Sequence, residues 1–309
     1  MAKTYNRQTV KIPSISKDIF LDVWLYEPIG TGPFPVVVAG HGLTVVKDAG
    51  LATFGERWAT DAGYASLIFD YRFFGESGGA PRNLVVYSKQ LEDYRSVIDW
   101  ARRQPEKFKN DKIVVMGSAT SGINVANLAL SDTGLAGAMA HSPVLDGTPR
   151  YATLTALPFN PRLMFWATID LIRGKLGMSP TFVKAVGHPR EFAFLNTPSS
   201  YPGFVAMFDQ GSMPFLSAPN ILTPRLAYEL MGSAACPAAR LKDIHCRMLI
   251  VSARDDDCIP IKIARDAAAM APDKITYIEL PCGHYDVMQG GQGFNENINA
   301  QIRFLTDLA

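Results

Sequence analysis

The stretch "IVVMGSATSGIN" (113–124) joins a run of strand formers to a glycine, a tight turn and a small-residue helix start. Ile113 to Met116 are apolar without alternation, as in a strand buried on both faces of a parallel sheet. Gly117-Ser118-Ala119-Thr120-Ser121 follows the spacing G-x-S-x-G. In that motif the middle residue stands on a sharp strand-to-helix turn with its side chain clear of the sheet edge. Here the middle residue is Ala119, and Ser121 replaces the second glycine with Gly122 behind it. Other frames fit worse. Centring on Ser118 puts Met116 and Thr120 at the glycine positions. Centring on Ser121 moves the nucleophile into the helix and puts Ile123 where a small residue is needed.

Outward from this junction the chain alternates strands and helices. On the N-terminal side, 19–28 reads as an early antiparallel strand, 35–42 as a buried strand, 48–63 as a helix, 64–72 as a strand and 88–104 as an amphipathic helix. After the strand at 112–117 and the helix at 121–131, 135–143 reads as another strand. The alternation resumes with a strand at 246–253, a helix at 260–271, a strand at 275–281 and a helix at 295–308. Such alternation implies a doubly wound, mostly parallel α/β sheet. Residues 144–245 interrupt it, and this segment holds 11 of the 21 prolines with many Phe, Tyr, Trp and Met residues. It is too apolar for a linker, so the reading is a core of 1–143 and 246–309 with an inserted helical cap at 144–245.

Composition narrows the function. The 309 residues carry a net charge of +1, with 48% hydrophobic and 19% charged residues, so no strong field favours nucleic acid or a membrane surface. Cys236, Cys246, Cys258 and Cys282 form no CxxC pair or zinc spacing and read as reduced thiols. "MAKTYNRQTVKIPS" lacks the apolar run of a signal peptide, no segment approaches a membrane span, and "TDLA" is no targeting address. The expectation is a cytoplasmic protein with no metal or organic cofactor, acting on a small molecule; a homodimer is compatible with this.

In open α/β sheets ligands bind beyond the carboxyl ends of the strands, so the residues after each strand matter most. "GHGLTVVKD" (40–48) can turn the Leu43 N–H into the site as an oxyanion donor, and the Thr120 N–H is the second such donor. A plain βα turn is the alternative at 40–48. "ARDDDCIP" (253–260) offers Asp256 to hold a histidine, with Asp255 and Asp257 as neighbours and Asp146 as a more distant rival. "PCGHYDVMQG" (281–290) offers His284 as general base. His141, His188 and His245 lack a partner pattern. His41 reads as part of its turn and, with the cap residues Phe165 and Trp166, as a candidate substrate contact.

The order 119, 256, 284 for nucleophile, acid and base resembles that of the α/β-hydrolase superfamily. The stretches "GHGLTVVKDAGLATFGERWATDAGYASLIFDYRFFGESGGAPRNL" (40–84), "GSATSG" and "GHYDVMQG" resemble more narrowly a group of bacterial and fungal hydrolases. That group includes polyketide transferases and thiohydrolases and is distantly similar to dienelactone hydrolases and S15-type peptidases. Its elbow usually reads G-S-S-x-S-G, and Ala119 is the one departure. The resemblance spans about 30–147 and 245–309 and leaves the cap unmatched. It implies an acyl-transfer enzyme and a structural role for Asp70, Arg72 and Gly75.

Alanine cannot form an acyl-enzyme. Three readings follow: a serine replaced by alanine, leaving an inactive variant; a natural cyclase, lyase or binding protein that uses the pocket without a nucleophile; or a nucleophile shifted to Ser118 or Ser121. The intact turn, acid and base favour the first. A mostly apolar, polyketide-like acyl substrate follows from the cap aromatics, although each of them can equally be the cap's own core.

Overall fold

The computed structural model describes residues 4–147 and 160–309. Its main sheet has eight strands: β1 (Tyr5–Pro13), β2 (Phe20–Pro28), β3 (Phe34–Gly40), β4 (Ala65–Phe69), β5 (Phe108–Ser118), β6 (Gly137–His141), β10 (Arg247–Ala253) and β11 (Ile275–Leu280). The spatial order is β1-β2-β4-β3-β5-β6-β10-β11. β1 and β2 pair antiparallel with each other, and β2 pairs antiparallel with β4. From β4 to β11 every pairing is parallel. β1 was not anticipated: its sequence YNRQTVKIP is mostly exposed, and an edge strand leaves no buried apolar run to read.

The strand β3 shows how the sheet divides the core. Val36 and Val38 join one buried cluster, and Val37 and Ala39 join the other. Period-two alternation thus feeds two apolar layers, and both are covered by helices. On one face lie α2 (Tyr87–Arg102) and α3 (Ser121–Ser131); on the other lie α1 (Ala52–Asp61) and α8 (Phe294–Thr306). α7 (Ile261–Ala269) joins the first face through Ile263, Ala264 and Ala267.

Between β6 and β10 the chain forms α4 (Pro161–Lys175), α5 (Ser200–Phe208) and α6 (Leu226–Met231). It also forms a small sheet of β7 (Val183–Val186), β8 (Ala193–Leu195) and β9 (Ile221–Leu222), in the order β8-β7-β9. The sequence suggested a largely helical segment here; strands of two to four residues are too short to show a period. Asp170 of α4 is fully buried and accepts from Arg225 Nη2 at 3.0 Å and from the Thr181 N–H at 2.8 Å. This ties α4 to the segment that leads into α6.

The loop after β4 is structural, as its resemblance implied. Asp70 accepts from the Lys47 N–H at 2.8 Å and the Glu76 N–H at 3.0 Å, and its carboxylate lies 2.5 Å from Lys47 Nζ. Gly75 has φ +48°, and a Cβ there would lie 2.2 Å from Asp70 Oδ2, so no side chain fits. Arg72 is buried against Asp93, Nη2 to Oδ1 at 2.6 Å.

Candidate active site

β5 ends at Ser118 and α3 begins at Ser121, so two residues make the reversal. Ala119 takes φ +48°, a left-handed conformation that costs an L-residue roughly 1–2 kcal/mol. Its surroundings hold it there. The Ala119 N–H donates to His141 O at 3.1 Å, and its carbonyl accepts from the Gly122 and Val144 N–H groups, both at 2.9 Å. A Cβ on Gly117 would lie 2.6 Å from Ser121 O, and one on Gly122 would lie 2.5 Å from Pro143 Cβ. Both glycines are therefore required for close packing of the turn.

Ser121 is not a displaced nucleophile. It is 1% exposed, and its Oγ sits 2.5 Å from Tyr71 Oη and 2.9 Å from Tyr94 Oη. Its hydroxyl closes the turn from inside the core. Ser118 is the last residue of β5, paired with His141, and precedes the strained position.

Past β11, a short turn of helix (His284–Val287) carries His284, and past β10 a loop carries Asp256. His284 Nδ1 is 2.7 Å from Asp256 Oδ2. The other carboxylate oxygen, Oδ1, accepts from the Cys258 N–H at 2.8 Å and the Ile259 N–H at 2.7 Å. Asp256 is thus held by backbone donors, and it fixes the proton of His284 on Nδ1, leaving Nε2 as an acceptor. Burial opposes charge on His284, but the Asp256 carboxylate and its hydrogen bond, with Asp257 behind, raise its pKa above the usual 6.5. The rivals of Asp256 are placed elsewhere: Asp255 is exposed, and Asp257 accepts from the Ser199 N–H at 3.0 Å.

A cavity of about 60 Å³ lies at this sheet edge. Ala119, Thr120, Leu43 and His284 line it together. Neither the Leu43 nor the Thr120 N–H donates to another group among the described residues. Gly42 brings the Leu43 turn close to the elbow, since a Cβ on it would lie 3.3 Å from the Ala119 Cβ. From the segment between β6 and β10, Phe194, Phe204, Met207, Leu226 and Leu230 also line the cavity.

Three expected substrate contacts lie outside the lining of this cavity. Phe165 and Trp166 are 58% and 36% exposed on α4 and do not line the cavity. They meet edge to face, centroids 5.5 Å apart. His41 is buried behind its turn, Nδ1 2.9 Å from Gly42 O and Nε2 3.4 Å from the Tyr71 N–H, with its ring edge on Tyr71 and Phe74. It does not line the cavity either. The residues between β6 and β10 that do line it come from α5, α6 and the short strand β8. They escaped the sequence reading because ordinary Phe, Met and Leu residues carry no mark that separates lining from core.

The donor atoms of Asp256, Cys258 and His284 lie within 4.8 Å of one another. They fit a metal poorly. Asp256 and His284 are spent on each other and on backbone N–H groups, and burial pushes the Cys258 thiol up to about 11, far from the thiolate a metal needs.

Sheet order, elbow and strand-end loops together define an α/β-hydrolase, and the chain is of that enzyme class. It belongs to the family described as X-Pro dipeptidyl-peptidase (S15 family), whose pattern matches residues 18–188, more than half of its length. A quorum-quenching protein, AidA, of Acinetobacter baumannii is 29% identical over 94% of this chain and 92% of its own. The thiohydrolase aneE of Aspergillus aculeatus is 27% identical over 91% of this chain and 87% of its own. The polyketide transferase af380 of Aspergillus fumigatus is 25% identical over 97% and 98%. Among solved structures, DcsB in complex with its substrate analogue superposes with a TM-score of 0.79 at 21% identity, covering 98% of this chain and 100% of its own. That likeness shows the shared fold. Among the described residues, no helix is long and apolar enough to cross a membrane.

Proposed function

We propose that this chain is the nucleophile-less form of a Ser-His-Asp hydrolase or acyltransferase acting on an ester, thioester or lactone of an apolar, polyketide-like acyl group. The observation that carries the reading is Ala119 at φ +48°, in one cavity with a His284 already bonded to Asp256 at 2.7 Å. With a serine hydroxyl at 119, Oγ attacks the acyl carbonyl and its proton passes to His284 Nε2. Asp256 holds the imidazole and stabilises its charge. The Leu43 and Thr120 N–H groups receive the oxyanion, and His284 returns the proton to the leaving group. The thiohydrolase and polyketide transferase among the relatives favour acyl transfer over peptide cleavage. The reading treats residues 144–245 as the cap that sets the substrate, and includes a cytoplasmic protein, with a homodimer allowed.

The test is Ala119→Ser, assayed on p-nitrophenyl esters and acyl thioesters. Loss of the serine in a well-studied protease costs about 10⁶ in turnover, so a gain of at least about 10³ is expected. A gain below about tenfold overturns the reading. A second reading, a natural cyclase or lyase with His284 as base, draws on the same Asp256–His284 pair, which is a complete base without a nucleophile. Any turnover by the chain as it stands that survives His284→Ala excludes it.

A further inference from the structure

A second cavity meets the first at His284. It has a volume of about 340 Å³ and is lined by α5, the residues flanking it and residues 283–291. Four residues line both cavities: Met207, His284, Tyr285 and Met288. Single side chains therefore stand between the two, and the base is one of them. Its side chain keeps 9% of its surface.

The shared wall is fixed in one part and adaptable in another. The Tyr285 ring meets His284 edge to face, centroids 4.7 Å apart, and Phe204 at 5.9 Å. A Cβ on Gly203 would lie 2.2 Å from the same ring, so only glycine lets α5 sit this close to the residue after the base. Met207 and Met288 are unbranched side chains that adjust readily to what lies beside them.

The two cavities differ in size and polarity. The first, at about 60 Å³, has room for only a few water molecules, and apolar side chains make most of its wall. The second is walled by Ser199, Gln210, Asp286 and Gln289, and by the backbone of Gly203, Gly283, Gly290 and Gly291. Gln210 Nε2 donates to Ala206 O at 3.4 Å, and Gln289 Oε1 accepts from Thr53. The other end of each amide has no partner among the described residues.

Acyl transfer divides a substrate along the same line. As a serine Oγ at 119 bonds the acyl carbon, the bond from that carbon to the leaving oxygen or sulfur breaks. The proton that His284 took from the serine passes to the leaving atom. An acceptor hydroxyl reverses these movements in the second half of the reaction, giving its proton to His284 as its oxygen bonds the acyl carbon. The non-acyl half of the substrate must therefore lie against His284, and the small apolar cavity has no room for it beside the acyl chain.

We infer that the cavity beside α5 and 283–291 receives this non-acyl half: a leaving alcohol or thiol, or an accepting alcohol, that carries hydrogen-bonding groups for Gln210 and Gln289. This rests on the acyl-transfer reading above. His284 then separates an apolar acyl side from a more polar leaving side, and different walls set the two preferences.

Four thioesters test this in the Ala119→Ser background. Octanoyl and butanoyl groups are each carried on N-acetylcysteamine, whose arm bears an amide, and on methanethiol, which reaches little beyond the sulfur. Ala206 is exposed on α5 and lines the second cavity but not the first, so Ala206→Trp fills the second. The variant should lower the N-acetylcysteamine-to-methyl ratio of kcat/KM by about tenfold or more, as for lost contacts in a pocket, and keep the octanoyl-to-butanoyl ratio within about twofold. Gln210→Trp, on the same wall just past α5, makes the same test if Ala206→Trp does not fold. If the first ratio holds, or the octanoyl-to-butanoyl ratio shifts as much, the inference is wrong and the acyl cavity stands. If Ala119→Ser turns over none of the four, the acyl-transfer reading fails and takes the inference with it.

Discussion

The elbow at 117–122 and the cap helix α4 relate residue type to place in opposite ways. At the elbow every neighbour is fixed: two glycines that admit no Cβ, a buried serine held by two tyrosines, and an alanine kept at φ +48°. All of this supports a side chain that is a single methyl. On α4 the large aromatic and aliphatic groups that suggest a binding surface, Phe165, Trp166 and Ile172, face outward at 58%, 36% and 52% exposure. Backbone conformation marks the site; apolar bulk does not. The left-handed backbone at Ala119 matches the strained strand-to-helix turn of an elbow.

The largest effect expected from that difference lies in the acid that serves the elbow. In an Ala119→Ser background, Asp256→Asn should cut kcat by about 10²–10⁴, since an amide donating toward Nδ1 favours the wrong tautomer of His284. Asp257→Asn should cost less than about tenfold, because Asp257 bonds Ser199 and not the histidine. Steady-state rates of the two variants decide it. Equal losses would mean that Asp256 is not the orienting carboxylate.

Next in size is the elbow itself. Gly117→Ala puts a methyl where 2.6 Å separates it from Ser121 O, and backbone cannot step aside as a flexible side chain can. Overpacking of this kind costs about 1–3 kcal/mol. Urea denaturation should show a loss in that range; an unchanged midpoint would mean that the turn is looser than its contacts imply.

The pH dependence of the restored enzyme comes third. His284 works as a base only when neutral, and Asp256 raises its pKa above 6.5. Activity of Ala119→Ser should therefore fall as pH drops, with the midpoint of the limb above 6.5. In Asp256→Asn the raising charge is gone while burial remains, so the limb should move to lower pH. A limb that stays in place would separate it from His284.

The sequence made the elbow, the strand–helix alternation and the order of Asp256 and His284 legible because each depends on local rules. Glycine at Gly117 and Gly122, alanine or serine between them, and a histidine two residues past Cys282 are read within a few positions. The edge strand β1 stayed hidden because it buries little, and β7 to β9 because they are too short to show alternation. The cavity wall was hidden for another reason. Phe194, Phe204, Met207, Leu226 and Leu230 are spread from position 194 to 230 over three separate elements, and only their tertiary meeting makes them lining. The hydrogen bonds at His141 Nδ1 likewise reach across the chain, to Asn297 and Gln301 of α8.

The smallest effect sharpens the cap side of the comparison. Phe165→Ser and Trp166→Ser remove exposed apolar groups outside the lining of this cavity, so stability should change by less than about 0.5 kcal/mol. In the Ala119→Ser background their kcat/KM on acyl thioesters should stay within about twofold. Phe204→Ala, which opens the cavity wall and removes a 4% exposed ring, should instead change kcat/KM by about tenfold or more, since one lost apolar contact in a pocket is worth roughly 1–3 kcal/mol. If Trp166→Ser harms acyl turnover more than Phe204→Ala does, the substrate reaches α4, and the boundary of the binding site lies further out on the cap than the 60 Å³ cavity draws it.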